Sequence, residues 1–169
     1  MTNIVDDSYA NYQELLKLLG NEDASLLNWA HENFRRVLVL IMANYLENEV
    51  TAILKEFFKQ KSGSDLVFSF IEKSMERQYH TYFDWKVNNA NRFFALFGET
   101  FQQEAIQDVR SDNDLEEGIR AFLEIGQTRN ILTHELLHRA YIGNKTAKEF
   151  YESFNKSIAF VEYLQKKLK

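Results

Sequence analysis

Apolar residues recur at helical spacing along almost the whole chain, and no segment shows the strict alternation of a half-buried strand. The longest pattern covers residues 25–61, with FRRVLVLIMANYLENEVTAILKEFF as its most apolar part. Gly20 ends the helix before it, and Ser62-Gly63-Ser64 separates it from the helix after it. The pattern predicts helices over residues 8–19, 25–61, 65–79, 90–98, 99–109, 115–141 and 146–169, with an aromatic-rich loop over residues 80–89. Because Gly126 lies in the middle of residues 115–141, a break of that helix at Gly126 stays open.

Composition favours the same fold class. The 169 residues include no proline and only six glycines, the residues that hairpins and tight turns need. Hydrophobic residues make up 45% of the chain, which is enough to bury a substantial core. We therefore predict an all-α, up-and-down helical bundle with a long early helix. It forms a single domain over residues 1–169, in which residues 1–24 are an N-terminal helical extension.

Charge and cysteine content narrow the function classes. The chain has no cysteine, which excludes disulfides and thiolate zinc sites. A net charge of −5 argues against a large non-specific nucleic-acid surface, so no DNA binding is expected, but it is compatible with a compact site for one or two phosphates. The segment MTNIVDDSYA lacks the plan of a signal peptide, and the apolar run over residues 37–42 is too short to span a bilayer. These features predict a cytoplasmic protein without membrane association.

Two motifs overlap in QTRNILTHELLH, residues 127–138: H-E-x-x-H from His134 to His138, and R-N-x-x-x-H from Arg129 to His134. Both lie on a predicted helix on which Arg129 and Thr133 interrupt the apolar face. A charge in that position is unfavourable unless it has a partner, such as Glu124 or another carboxylate. The apolar face itself consists of Leu115, Ile119, Phe122, Ile125, Leu132, Leu136, Leu137 and Ala140.

The first motif matches a zinc metalloprotease, in which two histidines one turn apart bind zinc and the glutamate activates water. Only three positions of this motif are fixed, and no strand is predicted that would hold a peptide substrate. The favoured interpretation is an exposed Glu135–Arg139 ion pair beside a histidine at the edge of the core. We therefore expect no metal site and no cofactor, although a third zinc ligand remains open among Glu149, Glu152 and Glu162.

The second motif suits cleavage of RNA without a metal. A histidine can take the proton of a ribose 2′-hydroxyl near neutral pH, and an arginine can hold the scissile phosphate through two hydrogen bonds. His134 is therefore the candidate general acid/base and Arg129 the candidate phosphate ligand, while Asn130 orients the ring or binds phosphate. The products would be a 2′,3′-cyclic phosphate and a 5′-hydroxyl.

R-N-x-x-x-H on the penultimate helix of a small all-helical domain resembles the HEPN superfamily. The long early helix, the segment NANRFFALFG and a terminal helix after the motif are similar to the RiboL-PSP type of HEPN domain over residues 30–168. The resemblance implies an endoribonuclease in a stress, toxin–antitoxin or anti-phage role. Because Arg129 and His134 point about 140° apart on a regular helix, it also implies a homodimer through the motif-bearing helix, which brings the two motifs together across a two-fold axis.

Several details stay open at this stage. The resemblance implies an antitoxin or nucleotidyltransferase as a further partner, but the tyrosine that such an enzyme modifies in some family toxins is Leu136 here. The alternative function is a non-catalytic HEPN module that binds RNA or a partner protein. His138, Arg92 and Arg77 are weaker candidates for RNA contact. We interpret His31 and His80 as ordinary surface or core-edge residues, and the aromatic side chains as folded onto the bundle in preference to stacking on bases: Tyr79, Tyr82, Phe83 and Trp85.

Overall fold

The computed structural model describes residues 3–20, 24–134 and 141–169, and none of these residues lies in a strand. The all-α fold class is therefore confirmed. The helices in these ranges are α1 (Ile4–Leu19), α2 (Ala24–Lys61), α3 (Asp65–Met75), α4 (Tyr79–Tyr82), α5 (Asn91–Ala95), α6 (Glu99–Ser111), α7 (Asn113–His134) and α8 (Ala147–Lys167).

Helix α2 is the long early helix, and α1, α3, α7 and α8 all pack against it. An 18-residue window of α2 has a mean hydropathy of 1.5, so its length and composition alone would also suit a membrane-spanning helix. Leu38, Met42 and Leu46 are buried in the protein core, and 39% of that window is buried in all.

Helices α7 and α8 pack along each other at the centre of the bundle. They approach closely at Gly118, where an added Cβ would lie 2.9 Å from the carbonyl oxygen of Lys156 and 3.2 Å from the Cβ of Ala159. A larger side chain would force the two backbones apart. Because α8 follows the motif-bearing helix in sequence and packs on it, it fixes the orientation of α7.

Aromatic rings attach the segment around α4 to this centre. The ring of Phe83 stacks on Phe93 at a centroid distance of 4.9 Å and contacts Phe122 at 5.0 Å. Phe122 in turn meets Phe160 of α8 edge-on at 5.0 Å. The prediction that the loop aromatics fold onto the bundle is thus confirmed.

Several predicted boundaries differ from the structure. Helix α1 begins at Ile4, because the Asn3 side chain and Asp6 form a capping box. Helix α3 ends at Met75 and not near residue 79, because Arg77 adopts a left-handed backbone conformation with φ 62°. The predicted aromatic loop begins with the single turn of α4.

Helix α1 packs on α2 and α8 through stacked rings. Tyr12 stacks on Phe34 of α2 at 3.9 Å, and Tyr9 stacks on Tyr151 of α8 at 4.2 Å. The hydroxyl of Tyr151 also donates a hydrogen bond of 2.8 Å to Asp6. The division into an N-terminal extension and a domain stays a prediction, but α1 shares its packing with the rest of the bundle.

Asp108 links α6 to the end of α8. Its carboxylate accepts hydrogen bonds of 2.9 Å from the hydroxyl of Tyr163 and 2.9 Å from the ammonium of Lys167. The hydrogen bond from Lys167 lowers the pKa of Asp108, and that from Tyr163 acts in the same direction, while partial burial opposes them.

We expect Asp108→Asn to lower the free energy of unfolding at pH 7 by roughly 1 kcal/mol, since the carboxylate is partly exposed. The stabilisation is present above the ordinary aspartate pKa of about 3.9 and is lost as the pH falls through the lowered pKa of the folded state. Urea unfolding of both proteins between pH 7 and pH 3 measures this. A difference between the two proteins that stays constant down to pH 3 would contradict the assignment.

Candidate functional site

Helix α7 carries the motif, and it begins where Asp112 accepts a hydrogen bond of 3.0 Å from the backbone N–H of Leu115. It continues without a break through Gly126 to His134, the last described residue before residue 141. The predicted apolar positions that the structure describes are all buried: Leu115, Ile119, Phe122, Ile125 and Leu132. The other three, Leu136, Leu137 and Ala140, lie outside the described residues.

Arg129 is half-buried on the face of α7 that points towards α2. Its Nη1 donates a hydrogen bond of 3.1 Å to the side-chain oxygen of Asn130, and its Nη2 lies 3.9 Å from a carboxylate oxygen of Glu47. The expected partner Glu124 instead binds Lys145 at 2.6 Å. The positive charge of Arg129, which interrupts the apolar face of α7, is therefore balanced by Glu47 of α2 through a long ion pair.

Arg129, Asn130 and Glu47 lie at a narrow crevice that has room for about one water molecule, about 10 Å³. Tyr79 is also there, and burial raises the pKa of its hydroxyl well above the usual range. Glu47 raises the pKa of Tyr79 further, whereas Arg129 lowers it. The other walls of the crevice come from Ala43, Leu46, His80, Trp85, Phe122, Ile125 and Gly126.

A wider cleft of about 620 Å³ lies next to this crevice. Asn130 lines both cavities, whereas His134 lines the cleft and Arg129 lines the crevice. The structure thus keeps Arg129 and His134 in separate cavities, as expected for residues five apart on an unbroken helix. The lining residues of the cleft are His80, Thr81, Phe83, Asp84, Trp85, Lys86, Arg92, Gln127, Asn130, Ile131 and His134.

Trp85 lines the cleft and lies directly over Gly126 of α7. An added Cβ at Gly126 would come within 2.0 Å of Cζ3 of the indole ring, so only glycine admits the ring here. The indole N–H donates a hydrogen bond of 2.8 Å to the backbone oxygen of His80. This contact explains the glycine in the middle of a long helix and holds the α4 segment against the motif.

The weaker RNA-contact candidates have different positions. Arg92 lines the cleft together with His134, and within the described part of the chain it forms no ion pair. Arg77 is exposed and does not line the cleft or the crevice. His138 and the expected Glu135–Arg139 pair lie outside the described residues. All three candidates stay predictions.

His80 is exposed, in agreement with its interpretation as an ordinary surface residue. Its side chain lines the cleft together with Lys86, which the sequence did not single out. Glu47 was missed in the same way. These residues are distant from the motif in sequence, and only the folding of α2 and the α4 segment onto α7 brings them there.

Among the described residues, no group of three histidine, aspartate or glutamate side chains could hold a metal ion. Two of the three candidate third ligands for zinc have other contacts. Glu149 caps α8 through Thr146, and Glu152 lies 3.8 Å from Lys148. His138 and Glu135 are not described, so the zinc motif as a whole is not tested.

The model of the RiboL-PSP-HEPN family matches residues 6–169 of the chain. The protein belongs to this family. No curated protein and no solved structure shows significant similarity to it. Membership identifies this HEPN domain as an RNase-type or RNA-binding module, and the match extends from the first turn of α1 through the motif-bearing helix to the end of α8.

Replacing Gly126 tests the contact that shapes the site of this HEPN domain. Alanine normally stabilises a helix by about 1 kcal/mol relative to glycine. Here we expect Gly126→Ala to destabilise the protein by about 1–3 kcal/mol, because the added methyl group must displace the ring of Trp85. Urea unfolding measures the effect.

The matched control is the same substitution in a Trp85→Ala background. The penalty should disappear there, since the ring that causes it is gone. An equal penalty in both backgrounds, or a stabilised single variant, would contradict the role assigned to this contact.

Proposed function

We propose that this HEPN domain is a metal-independent endoribonuclease, with His134 as general acid/base, Arg129 as phosphate ligand and Asn130 in support. The observation that carries the proposal is the cleft of about 620 Å³, in which His134 and Asn130 lie beside two cationic side chains, Lys86 and Arg92. Within the described part of the chain neither cation forms an ion pair, although the protein as a whole has a charge of −5.

His134 meets the requirements for proton transfer. Its side chain is exposed to the cleft, and among the described residues no group forms a hydrogen bond to its imidazole. A free imidazole can approach a ribose 2′-hydroxyl and accept its proton. The hydroxyl oxygen then attacks the adjacent phosphorus, which gives a 2′,3′-cyclic phosphate and a 5′-hydroxyl.

Arg129 meets the requirements for phosphate binding. Its ion pair with Glu47 is long, at 3.9 Å, and more than a third of each side chain is exposed. Such a pair contributes between about 0 and 1 kcal/mol, so a phosphate can replace the carboxylate. The side-chain oxygen of Asn130 accepts a hydrogen bond from the guanidinium of Arg129. Asn130 also lines the cleft that His134 lines, which supports its proposed role beside both residues.

We propose further that the enzyme is a homodimer through the motif-bearing helix. Since Arg129 and His134 of one chain lie in neighbouring cavities, a two-fold axis near α7 would let Arg129 of one protomer act with His134 of its partner. By family, the role is RNA cleavage in stress, toxin–antitoxin or anti-phage defence in the cytoplasm, with an antitoxin or nucleotidyltransferase as a further partner.

The ion pair between Arg129 and Glu47 also favours a second candidate function. If Arg129 serves only to balance Glu47, the domain is a non-catalytic module that binds RNA or a partner protein. The two functions differ in whether RNA is cut, and a cleavage assay separates them.

The first test uses the purified full chain and labelled single-stranded RNA in excess EDTA. We expect cleavage by the wild type that falls by about 10²–10⁴-fold in His134→Ala, because the base is lost. Arg129→Ala should lose activity strongly, and Arg129→Lys should recover only part of it because lysine cannot bind bidentately. The products should carry 2′,3′-cyclic phosphate ends.

Arg110→Ala, an exposed arginine on α6, is the matched control and should keep full activity. RNA binding without cleavage by the wild type would favour the binding module. Cleavage that EDTA abolishes and stoichiometric zinc restores would instead support the metalloenzyme interpretation.

The second test mixes two inactive variants. If each site takes Arg129 from one protomer and His134 from the other, a mixture of Arg129→Ala and His134→Ala chains contains dimers with one complete site. Equal amounts should recover about a quarter of the wild-type activity, since half of the dimers are mixed and each has one of two sites intact.

Light scattering should give twice the 20.0 kDa mass of the chain. A monomeric mass together with no recovery on mixing would reject the shared site, while leaving the cleavage result of the first test in place.

A further inference from the structure

Cleavage of RNA by its own 2′-hydroxyl requires two proton transfers. One group removes the proton of the attacking hydroxyl, and another protonates the departing 5′-oxygen, which is otherwise a poor leaving group. The R-N-x-x-x-H motif of one chain supplies a single histidine, His134. The second proton comes either from His134 of the second protomer or from another residue at the cleft, and His80→Ala distinguishes the two.

His80 has the position that this second group needs. It belongs to α4 on the wall of the cleft formed by residues 80–86, whereas His134 belongs to α7 on another wall. Both imidazoles are exposed, and within the described ranges neither forms a hydrogen bond that would occupy it. The cleft volume of about 620 Å³ lies within the usual range for small-ligand sites.

The backbone at His80 is held in place by hydrogen bonds to its neighbours. Its carbonyl oxygen accepts the indole N–H of Trp85 at 2.8 Å. The next residue, Thr81, donates both its backbone N–H, at 2.8 Å, and its hydroxyl, at 2.7 Å, to the carbonyl of Gln78. Such a fixed backbone gives the exposed His80 imidazole a defined place at the cleft, as a catalytic side chain requires.

The other polar groups of the cleft fit this role less well. The carboxylate of Asp84 accepts the backbone N–H of Lys86 at 3.1 Å, which makes it an acceptor and not a proton donor. Lys86 and Arg92 are cations that suit the phosphate oxygens, and arginine does not release its proton. Among the described lining residues other than His134, His80 is the side chain whose type exchanges protons near neutral pH.

Resting on the proposed function, we propose that His80 is the general acid of the RNA cleavage site. Neutral His134 takes the 2′-hydroxyl proton while a bond forms between the 2′-oxygen and phosphorus. The bond between phosphorus and the 5′-oxygen breaks, and the imidazolium of His80 gives its proton to that oxygen. Exchange with water then restores both rings, so no metal or other reactant is consumed.

The test compares ordinary RNA with RNA in which the 5′-oxygen at one cleavage site is sulfur. A thiolate leaves without a proton, so only the general acid becomes dispensable. We expect His80→Ala to lower cleavage of ordinary RNA by about 10²-fold or more and to cleave the sulfur substrate within about tenfold of the wild-type rate. His134→Ala should be impaired on both substrates.

Gln78→Ala is the matched control, since its exposed side chain lies in the same turn but does not line the cleft. Wild-type activity of His80→Ala on ordinary RNA, or an equal loss on both substrates in a folded variant, overturns the role of His80 alone. If the wild type cuts neither substrate, the proposed function fails and the His80 proposal fails with it.

Discussion

The contact between Trp85 and Gly126 is the constraint on which the site depends. The indole ring lies on bare helix backbone, at a position where even a methyl group would come within 2.0 Å of it. The ring also binds the backbone of His80 through its N–H. One contact therefore joins the two walls of the cleft, because it fixes the α4 segment to the helix that carries Asn130 and His134. The aromatic cluster around Phe83 and Phe122 supports it from within the core.

Local patterns predicted much of the fold, and the misses have tertiary causes. Helices α2 and α8 follow from apolar periodicity, and the capping box at Thr146 and Glu149 marks the start of α8 as expected. Gly126 left a break in α7 open, because glycine disfavours a helix by about 1 kcal/mol. Packing of Trp85 accounts for the glycine, and the helix continues. Helix α3 ends at Met75, shortly before Arg77. Arg77 has a left-handed backbone conformation, which is usually marked by a glycine in the sequence and is not marked here.

The candidate site was predictable only where it is local in sequence. Arg129, Asn130 and His134 lie within two turns of one helix, so their types and spacing are visible in the chain. The structure shows that a charge on the apolar face needed a partner, as the sequence indicated, but the partner comes from Glu47 on α2 and not from Glu124. His80 gave no signal, since a single histidine outside a motif has no pattern.

The geometry of α7 also limits how an anion can bind to the guanidinium of Arg129. The guanidinium and the His134 ring diverge on the helix, and Asn130 is the only motif residue that lines both cavities. Glu47 holds Arg129 by a long, partly exposed ion pair, which contributes between about 0 and 1 kcal/mol. A phosphate with two hydrogen bonds to the guanidinium would outweigh that pair. Glu47 therefore balances the charge of Arg129 by a weak pair, and the proposed role of Arg129 as phosphate ligand requires an anion to displace that pair at the edge of a narrow crevice.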